Sequence, residues 1–291
     1  LVNEGEGEAG NPWGVSFQRM FDMSNDSHLF RTQEEMEEAG STLEGNRFVK
    51  GEEVWLPLYE AKMFWHYDHR YGTFEGAESR SSTSIPTPGA EEYADPEYLV
   101  MPWYWVKEEF VHERNKDRGW YIGFRDITNS TNERTLISSI IPFSGVGNTA
   151  PILNFASHSS TRKLLINANL CSFCFDRIAR YKAGSTHLNF YIVKQLPVLP
   201  PSAYTPTLTN FIAPRVIELT YTAWDLEPFA RDVLAEVGVA QWNAWFPQNP
   251  VGPDGTPRPF VWDEERRFDL RCDLDALYFH LYDISREDVD Y

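Results

Sequence analysis

The amino-acid sequence predicts an α+β fold, a mixed β-sheet core followed by a helical C-terminal region, and three observations carry that expectation. Short apolar and aromatic runs such as Trp55–Tyr59, Trp120–Ile127 and Leu136–Ile141 are separated by Gly-, Pro- and Ser-rich turns and have the length of strands. Leu164–Tyr181 instead repeats its apolar residues at helical spacing. After Pro206 the pattern is helical throughout. At 291 residues, 42% apolar and 15% aromatic, the chain can bury a sizeable core and is globular. The expected organisation is a connector over 1–44, an α+β domain over 45–205 and a helical region over 206–291.

Residues 1–12, rich in Gly and Glu, read as mobile, whereas Trp13–Phe30 holds too many large apolar residues for a solvated linker. Gln33–Ala39 predicts a short acidic helix ended by Gly40. Residues 75–97 predict a long surface loop. The aromatic run Tyr98–Phe110 leads into the charged loop Glu113–Arg118, then the strand Trp120–Ile127, a polar turn and the strand Leu136–Ile141; Gly145–Asn148 follows as a flexible loop. Beyond the helix Leu164–Tyr181, Lys182–Asn189 is a polar turn and Phe190–Val193 a strand. Pro214–Ala223, Leu226–Gly238 and Asp263–Tyr282 predict amphipathic helices, with Asp225 and Asp263 as N-caps.

No apolar run is long enough to span a bilayer and no basic-then-apolar leader opens the chain. Three cysteines, an odd number in a long chain, favour a reducing compartment, the cytoplasm. The net charge of −17 argues against a nucleic-acid binder until its distribution is read. Residues 101–200 carry 12 Lys and Arg against 7 Asp and Glu, and the remainder 14 against 36. A basic middle between acidic flanks fits a protein that holds DNA on one face, and equally an interaction module whose acidic parts meet a basic partner.

Three polar clusters stand between strand-like segments, where a scaffold presents loops to a ligand. The densest is Lys62–Arg70, at the end of the aromatic stretch Trp55–Tyr71, with Lys62, His66, His69 and Arg70 as candidate contacts. The second, Arg125–Arg134, offers Arg125, Asn129, Asn132 and Arg134, and the third, around Lys182–Asn189, offers Arg180, Lys182, Thr186, His187 and Asn189. Arg pairs bidentately with guanine and Asn with adenine, whereas Lys, Ser and Thr more often hold phosphates. Any one of these residues reads equally well as a solvated turn.

Catalytic signals are few. Glu60-Ala61-Lys62 has the spacing of a nuclease Glu-x-Lys pair, which would make a Mg²⁺-dependent enzyme, yet no upstream Asp accompanies it. Cys171 and Cys174 lack two further zinc ligands and read as buried thiols, so no metal is expected. Gly145-x-Gly147 lacks the strand–helix context of a cofactor loop, and the single Pro-Pro, Pro200-Pro201, is preceded by Leu199.

Pro57-Leu58-Tyr59-Glu60-Ala61-Lys62 with Asp68-His69-Arg70 resembles a block in the C-terminal parts of large bacterial N6-adenine DNA methyltransferases of the type IIG restriction–modification and phage-exclusion kind. That block usually carries Gly at the position of Ala61, where Ala would be strained if φ were positive. Asn11-Pro12-Trp13-Gly14 and Phe21-Asp22-Met23 resemble the run joining catalytic and recognition parts in that family. The helix with Asn169-Leu170-Cys171-Ser172-Phe173, a basic turn, a strand and Leu196-Pro197-Val198-Leu199-Pro200 is similar to a TaqI-type specificity domain, with a shift from the usual Leu-Asn-Ser wording. Trp224–Asp232 and Trp262–Phe268 resemble the family's tail, so the likeness runs from about Asn11 to Tyr291.

The resemblance implies a target-recognition region for double-stranded DNA, non-catalytic in itself, that directs a linked adenine-N6 methyltransferase in restriction or phage defence. S-adenosylmethionine would bind only the N-terminal methyltransferase domain, outside this sequence, and this chain would hold no cofactor. Any nuclease activity would belong to a separate N-terminal part.

Overall fold

The computed structural model of the chain describes residues 1–3, 9–82, 84–115, 118–129, 131–157, 159–184 and 186–290. Parts of five expected features lie outside the described residues: residues 4–8 of the N-terminal segment, Thr83 of the long loop, Lys116 and Asp117 of the charged loop, Ser130 of the polar turn and Ser185 of the third cluster. The fold is α+β.

Its strands are β1 (Val15–Gln18), β2 (Phe30–Arg31), β3 (Thr42–Glu44), β4 (Arg47–Lys50), β5 (Glu53–Tyr59), β6 (Trp105–Lys107), β7 (Trp120–Phe124), β8 (Ser138–Pro142), β9 (Gly145–Val146) and β10 (Ile152–Phe155). The helices are α1 (Gln33–Glu38), α2 (Ala90–Ala94), α3 (Glu108–Asn115), α4 (Ser160–Cys171), α5 (Phe173–Lys182), α6 (Phe190–Lys194), α7 (Pro206–Thr220), α8 (Glu227–Val237), α9 (Val239–Trp245), α10 (Glu264–Leu281) and α11 (Arg286–Asp290).

One sheet has the antiparallel order β1-β10-β7-β8. The other has the antiparallel order β2-β6-β5-β4-β3, and β9 joins the end of β5 in parallel, Leu58 opposite Gly145. The first sheet is the middle layer. Successive strand residues point to opposite faces, so Trp120, Ile122 and Phe124 pack with Ile140 and Leu153 against the helices. Tyr121, Ile141 and Ile152 face the second sheet. A strand covered on both faces reads as a continuous apolar run, and all five residues of β7 and of β8 are buried.

The core beneath the helices joins Trp13 and Val15 with α4, α5, α7, α8 and α10, and therefore crosses both expected boundaries, 44 and 205. Val15–Gln18 and Phe30–Arg31, expected within the connector, are strands of the two sheets. Trp13 docks inside the chain, its indole N–H donating to the Leu199 carbonyl at 2.9 Å.

Several local expectations are corrected. Phe190–Val193 is helical, because the Asn189 side chain accepts the Ile192 N–H and starts a turn that outweighs the β-branched pair. The long helix breaks at Ser172, whose hydroxyl accepts the Phe175 N–H and begins α5. α7 begins at Pro206 and runs through Pro214 instead of starting there; burial of Ile212, Ala213, Val216 and Ile217 outweighs the proline's missing donor. The loop at residue 145 is interior backbone, since a Cβ on Gly145 would lie 2.5 Å from Val106 Cγ1. Ala61 is free of the suspected strain: it opens a 3-10 turn and is absent from the positive-φ residues. Asp263 does cap α10, accepting the Arg266 N–H at 2.9 Å, whereas α8 has no side-chain cap and Asp225 is used elsewhere.

Candidate nucleic-acid interface

The first cluster is an interior clasp. Arg70 is 0% exposed, and its guanidinium donates to the carbonyls of Glu92, Tyr93, Asp95, Tyr98 and Thr222. Two of those carbonyls belong to the last turn of α2, where a cation also meets the negative end of the helix dipole. Asp68 holds Arg70 from behind, accepting its backbone N–H at 2.8 Å and the Tyr93 hydroxyl at 2.8 Å. His69 donates from Nε2 to Asp225 Oδ1 at 2.8 Å. His66 donates from Nε2 to the Cys171 carbonyl at 2.5 Å, and burial pushes its pKa down to about 3, helped by the Arg134 charge. Lys62 donates to the carbonyls of Arg80 and Ser82.

These contacts correct the expectation that Lys62, His66, His69 and Arg70 meet a ligand. The His and Arg side chains are interior, and all four are committed to groups that the loop after residue 72 and the helical region leave in need of donors. The pairing also removes the nuclease alternative's key group. Glu60 is buried and accepts two parallel hydrogen bonds from Arg80, at 3.0 and 2.8 Å.

Arg125 is tied to the same clasp. It donates to the Phe64 carbonyl at 2.9 Å and lies over the stacked rings of Trp65 and Tyr71, 4.7 and 5.4 Å from their centroids. Burial lowers its pKa to about 10. Arg134 pairs with Asp275 at 3.3 Å and lies over Phe173, with its side chain 13% exposed. Both arginines hold the fold, which corrects their placement among the DNA contacts. Asp275 belongs to α10, so that acidic helix is joined to the second basic cluster. It packs on α5, and Asp275 accepts the N–H of Phe173, the first residue of α5, at 2.6 Å. A carboxylate there is favoured by the helix N-terminus.

What remains is a surface made by the second and third clusters together. Ile127 and His187 form an antiparallel bridge; Thr128 N–H donates to the Thr186 carbonyl, and Leu188 N–H to that of Asp126. Asp126 ties this junction to β1's outgoing chain, lying 3.2 Å from His187 Nδ1 and 3.6 Å from Arg19. Arg19 also lies 4.9 Å from the Phe190 ring centroid, beside Tyr191 on α6. Arg180 reaches the Glu133 carbonyl at 2.9 Å, joining the end of α5 to the polar turn. Lys182, Thr186, His187, Asn129 and Asn189 are exposed on these segments.

Tyr181 and Tyr191 are each 75% exposed and Ile127 51% exposed on the same junction, and Arg177 lies 4.8 Å from the Tyr181 ring centroid. Two of the asparagines are engaged: Asn189 caps α6, and Asn129 Oδ1 accepts from the N–H and hydroxyl of Thr131. Among the described residues the Asn132 side chain makes no hydrogen bond, leaving both ends of its amide available.

Sequence reasoning missed Tyr181, Tyr191, Arg177 and Arg19. Tyr181 was legible, because the buried positions Cys174, Phe175 and Ala179 define the inner face of α5 and exclude it. Arg19 had no local signal, as it arrives from more than a hundred residues away. Cys171 and Cys174 are buried thiols; burial pushes Cys174 up to about 11, and Cys171 donates weakly to the Ser138 carbonyl at 3.4 Å. Among the described residues no helix is long and apolar enough to cross a membrane. Compared with protein-family models, curated proteins and solved structures, the chain matches none of them.

Proposed function

We propose that the chain is a target-recognition module for double-stranded DNA that directs a linked N6-adenine methyltransferase in the bacterial cytoplasm, within a restriction or phage-defence system. The observation that carries this reading is the pair of tyrosines, each three-quarters exposed, on a junction that also displays Arg19, Arg177, Lys182 and His187. Large rings held in solvent among cations suit a ligand with flat faces and negative charge. Tyrosine hydroxyls and lysine fix the register of a duplex through its phosphates, and an uncommitted amide such as that of Asn132 can pair with an adenine edge. The likeness of the 57–70 block to the methyltransferase family supports the linked activity, with S-adenosylmethionine bound outside this chain.

The test uses the complete protein. Methylated sites are mapped by sequencing before and after residues 127–132, with the buried Thr128 kept, and residues 182–187 are exchanged for unrelated sequence of equal length. The buried Leu188 and the α6 cap Asn189 stay in place. The expected result is a lost or altered target sequence with the protein still folded. An unchanged target in a folded, active protein would place recognition elsewhere.

A second reading, a protein-interaction surface, is favoured by Val261, 84% exposed, and Phe268, 60% exposed, at the start of acidic α10. These fit a partner that is apolar at its centre and basic at its rim. The same loop exchange separates the two, since a protein-docking role for α10 leaves the methylated sequence unaltered.

A further inference from the structure

β7 has the tyrosine junction beyond its last residue and a different feature at its first. There Arg118 and Trp120 meet the start of α4 and one side of α8 around a recess of about 360 Å³, lined also by Ser160, Lys163, Asp232 and Glu236. Two cations and two carboxylates suggest a closed set of ion pairs, but the carboxylates are engaged elsewhere. Asp232 Oδ2 accepts the Trp120 indole N–H at 2.8 Å. Glu236 covers the N-terminus of α4, Oε1 accepting the Ser159 hydroxyl at 2.7 Å and Oε2 the backbone N–H of Ser160 at 2.6 Å and of Thr161 at 3.2 Å.

The cations keep donors that neither carboxylate takes. Lys163 makes no hydrogen bond or ion pair among the described residues; its ammonium lies 4.8 Å from the centroid of the Trp120 ring. Arg118 donates from Nη1 to the Asn154 side chain and forms no ion pair among the described residues. Burial lowers the pKa of both; the Arg118 charge lowers Lys163 further, and the Asp232 and Glu236 carboxylates raise it in part. The two carboxylates offset part of that repulsion, but the donors of both cations lose water in the recess, and an anion held between them restores those hydrogen bonds.

The geometry points to an oxoanion site of the phosphate class in this recess, with the Lys163 ammonium and the unused Arg118 N–H groups donating to it and the Trp120 ring as one wall. An ammonium with three donors beside a planar guanidinium suits a group that offers several oxygens, as phosphate does. The site does not depend on the nucleic-acid reading. It lies at the other end of β7, so its ligand is either a free phosphate compound or a backbone phosphate of DNA reaching round the molecule.

The test is calorimetric titration of inorganic phosphate into the full chain, with chloride as the reference anion. One saturable site per chain is expected. Lys163→Gln and Arg118→Gln should each weaken it about ten-fold or more, as loss of a charge-assisted hydrogen bond requires. Lys163→Arg should hold affinity within about three-fold, and Lys182→Ala on the far junction should leave it unchanged. A duplex oligonucleotide then separates the sources. If Lys163→Gln weakens duplex and phosphate alike, the natural ligand is a backbone phosphate; if it weakens phosphate alone, the ligand is free. The proposal is overturned if phosphate shows no saturation below roughly 10 mM, or if a folded Arg118→Gln, Lys163→Gln double variant binds phosphate as the wild type does.

Discussion

Lys62–Arg70 and Lys182–Asn189 are written in nearly the same alphabet, yet the first is interior and the second is surface. The difference lies in what surrounds them. The 62–70 stretch leaves a 3-10 turn beneath the end of α2 and the loop after it, where the carbonyls of Glu92, Tyr93, Asp95 and Tyr98 lack backbone continuation, and Arg70 supplies the donors. The 182–189 stretch meets the polar turn backbone to backbone, through Thr128 N–H and Leu188 N–H, so the side chains of Lys182, Thr186 and His187 are released to solvent while Leu188 enters the core. A polar cluster turns inward where neighbouring backbone lacks partners and outward where the backbone satisfies itself.

The largest test of that contrast is Arg70→Met. Removing a buried cation from five carbonyls should cost about 3–5 kcal/mol in urea unfolding, whereas Lys182→Ala should change stability by no more than about 0.5 kcal/mol. Equal effects would erase the distinction.

His66 sharpens it by pH. Its folded pKa of about 3 lies below the ordinary 6.5, so the native ring stays neutral while the unfolded chain takes up a proton. The stability it preserves is complete above pH 6.5 and falls as pH drops from there toward 3, by up to about 1.4 kcal/mol per unit. Urea midpoints measured at pH 7 and pH 5 should therefore differ less in a folded His66→Asn variant than in the wild type. An undiminished difference would mean that the ring is protonated in the native state.

On the outward side, Asn132→Ala should relax preference at one position of the target by about 1–3 kcal/mol, read from the methylated sites of the complete protein. A uniform loss at all positions would make Asn132 a backbone contact instead. The smallest effect is that of Lys182→Ala. It should weaken duplex binding for all sequences and lower the slope of log affinity against log salt by about 0.9, as measured by titration at several salt concentrations. An unchanged slope would remove Lys182 from the phosphate contacts.

The strands Trp55–Tyr59 and Trp120–Phe124, α1 with its stop at Gly40, and the Asp263 cap were legible because the information is local: an apolar run, a cap, a turn residue. The fate of Arg70, Arg125 and Arg134 was not, because each is decided by groups remote in the chain, namely Thr222, Phe64 and Asp275. Phe190–Val193 misled for the opposite reason: a single asparagine cap outweighed the propensity of the residues after it. At the candidate interface, Lys182 and His187 were readable as loop residues, whereas their meeting with Asn129 required the Ile127–His187 bridge.

The core that runs unbroken from Trp13 and β7 into α7, α8 and α10 sets the unit in which specificity can be transplanted. A chimaera cut near residue 205 would strip Ile212, Val216 and Phe229 from the cluster that also holds Trp120 and Leu164, and leave a wet hydrophobic wall on each half. The exposed positions of the loops at 127–132 and 182–189 can be rewritten in place, with the buried Thr128 and Leu188 kept, but they travel to another protein only with the whole body that holds them.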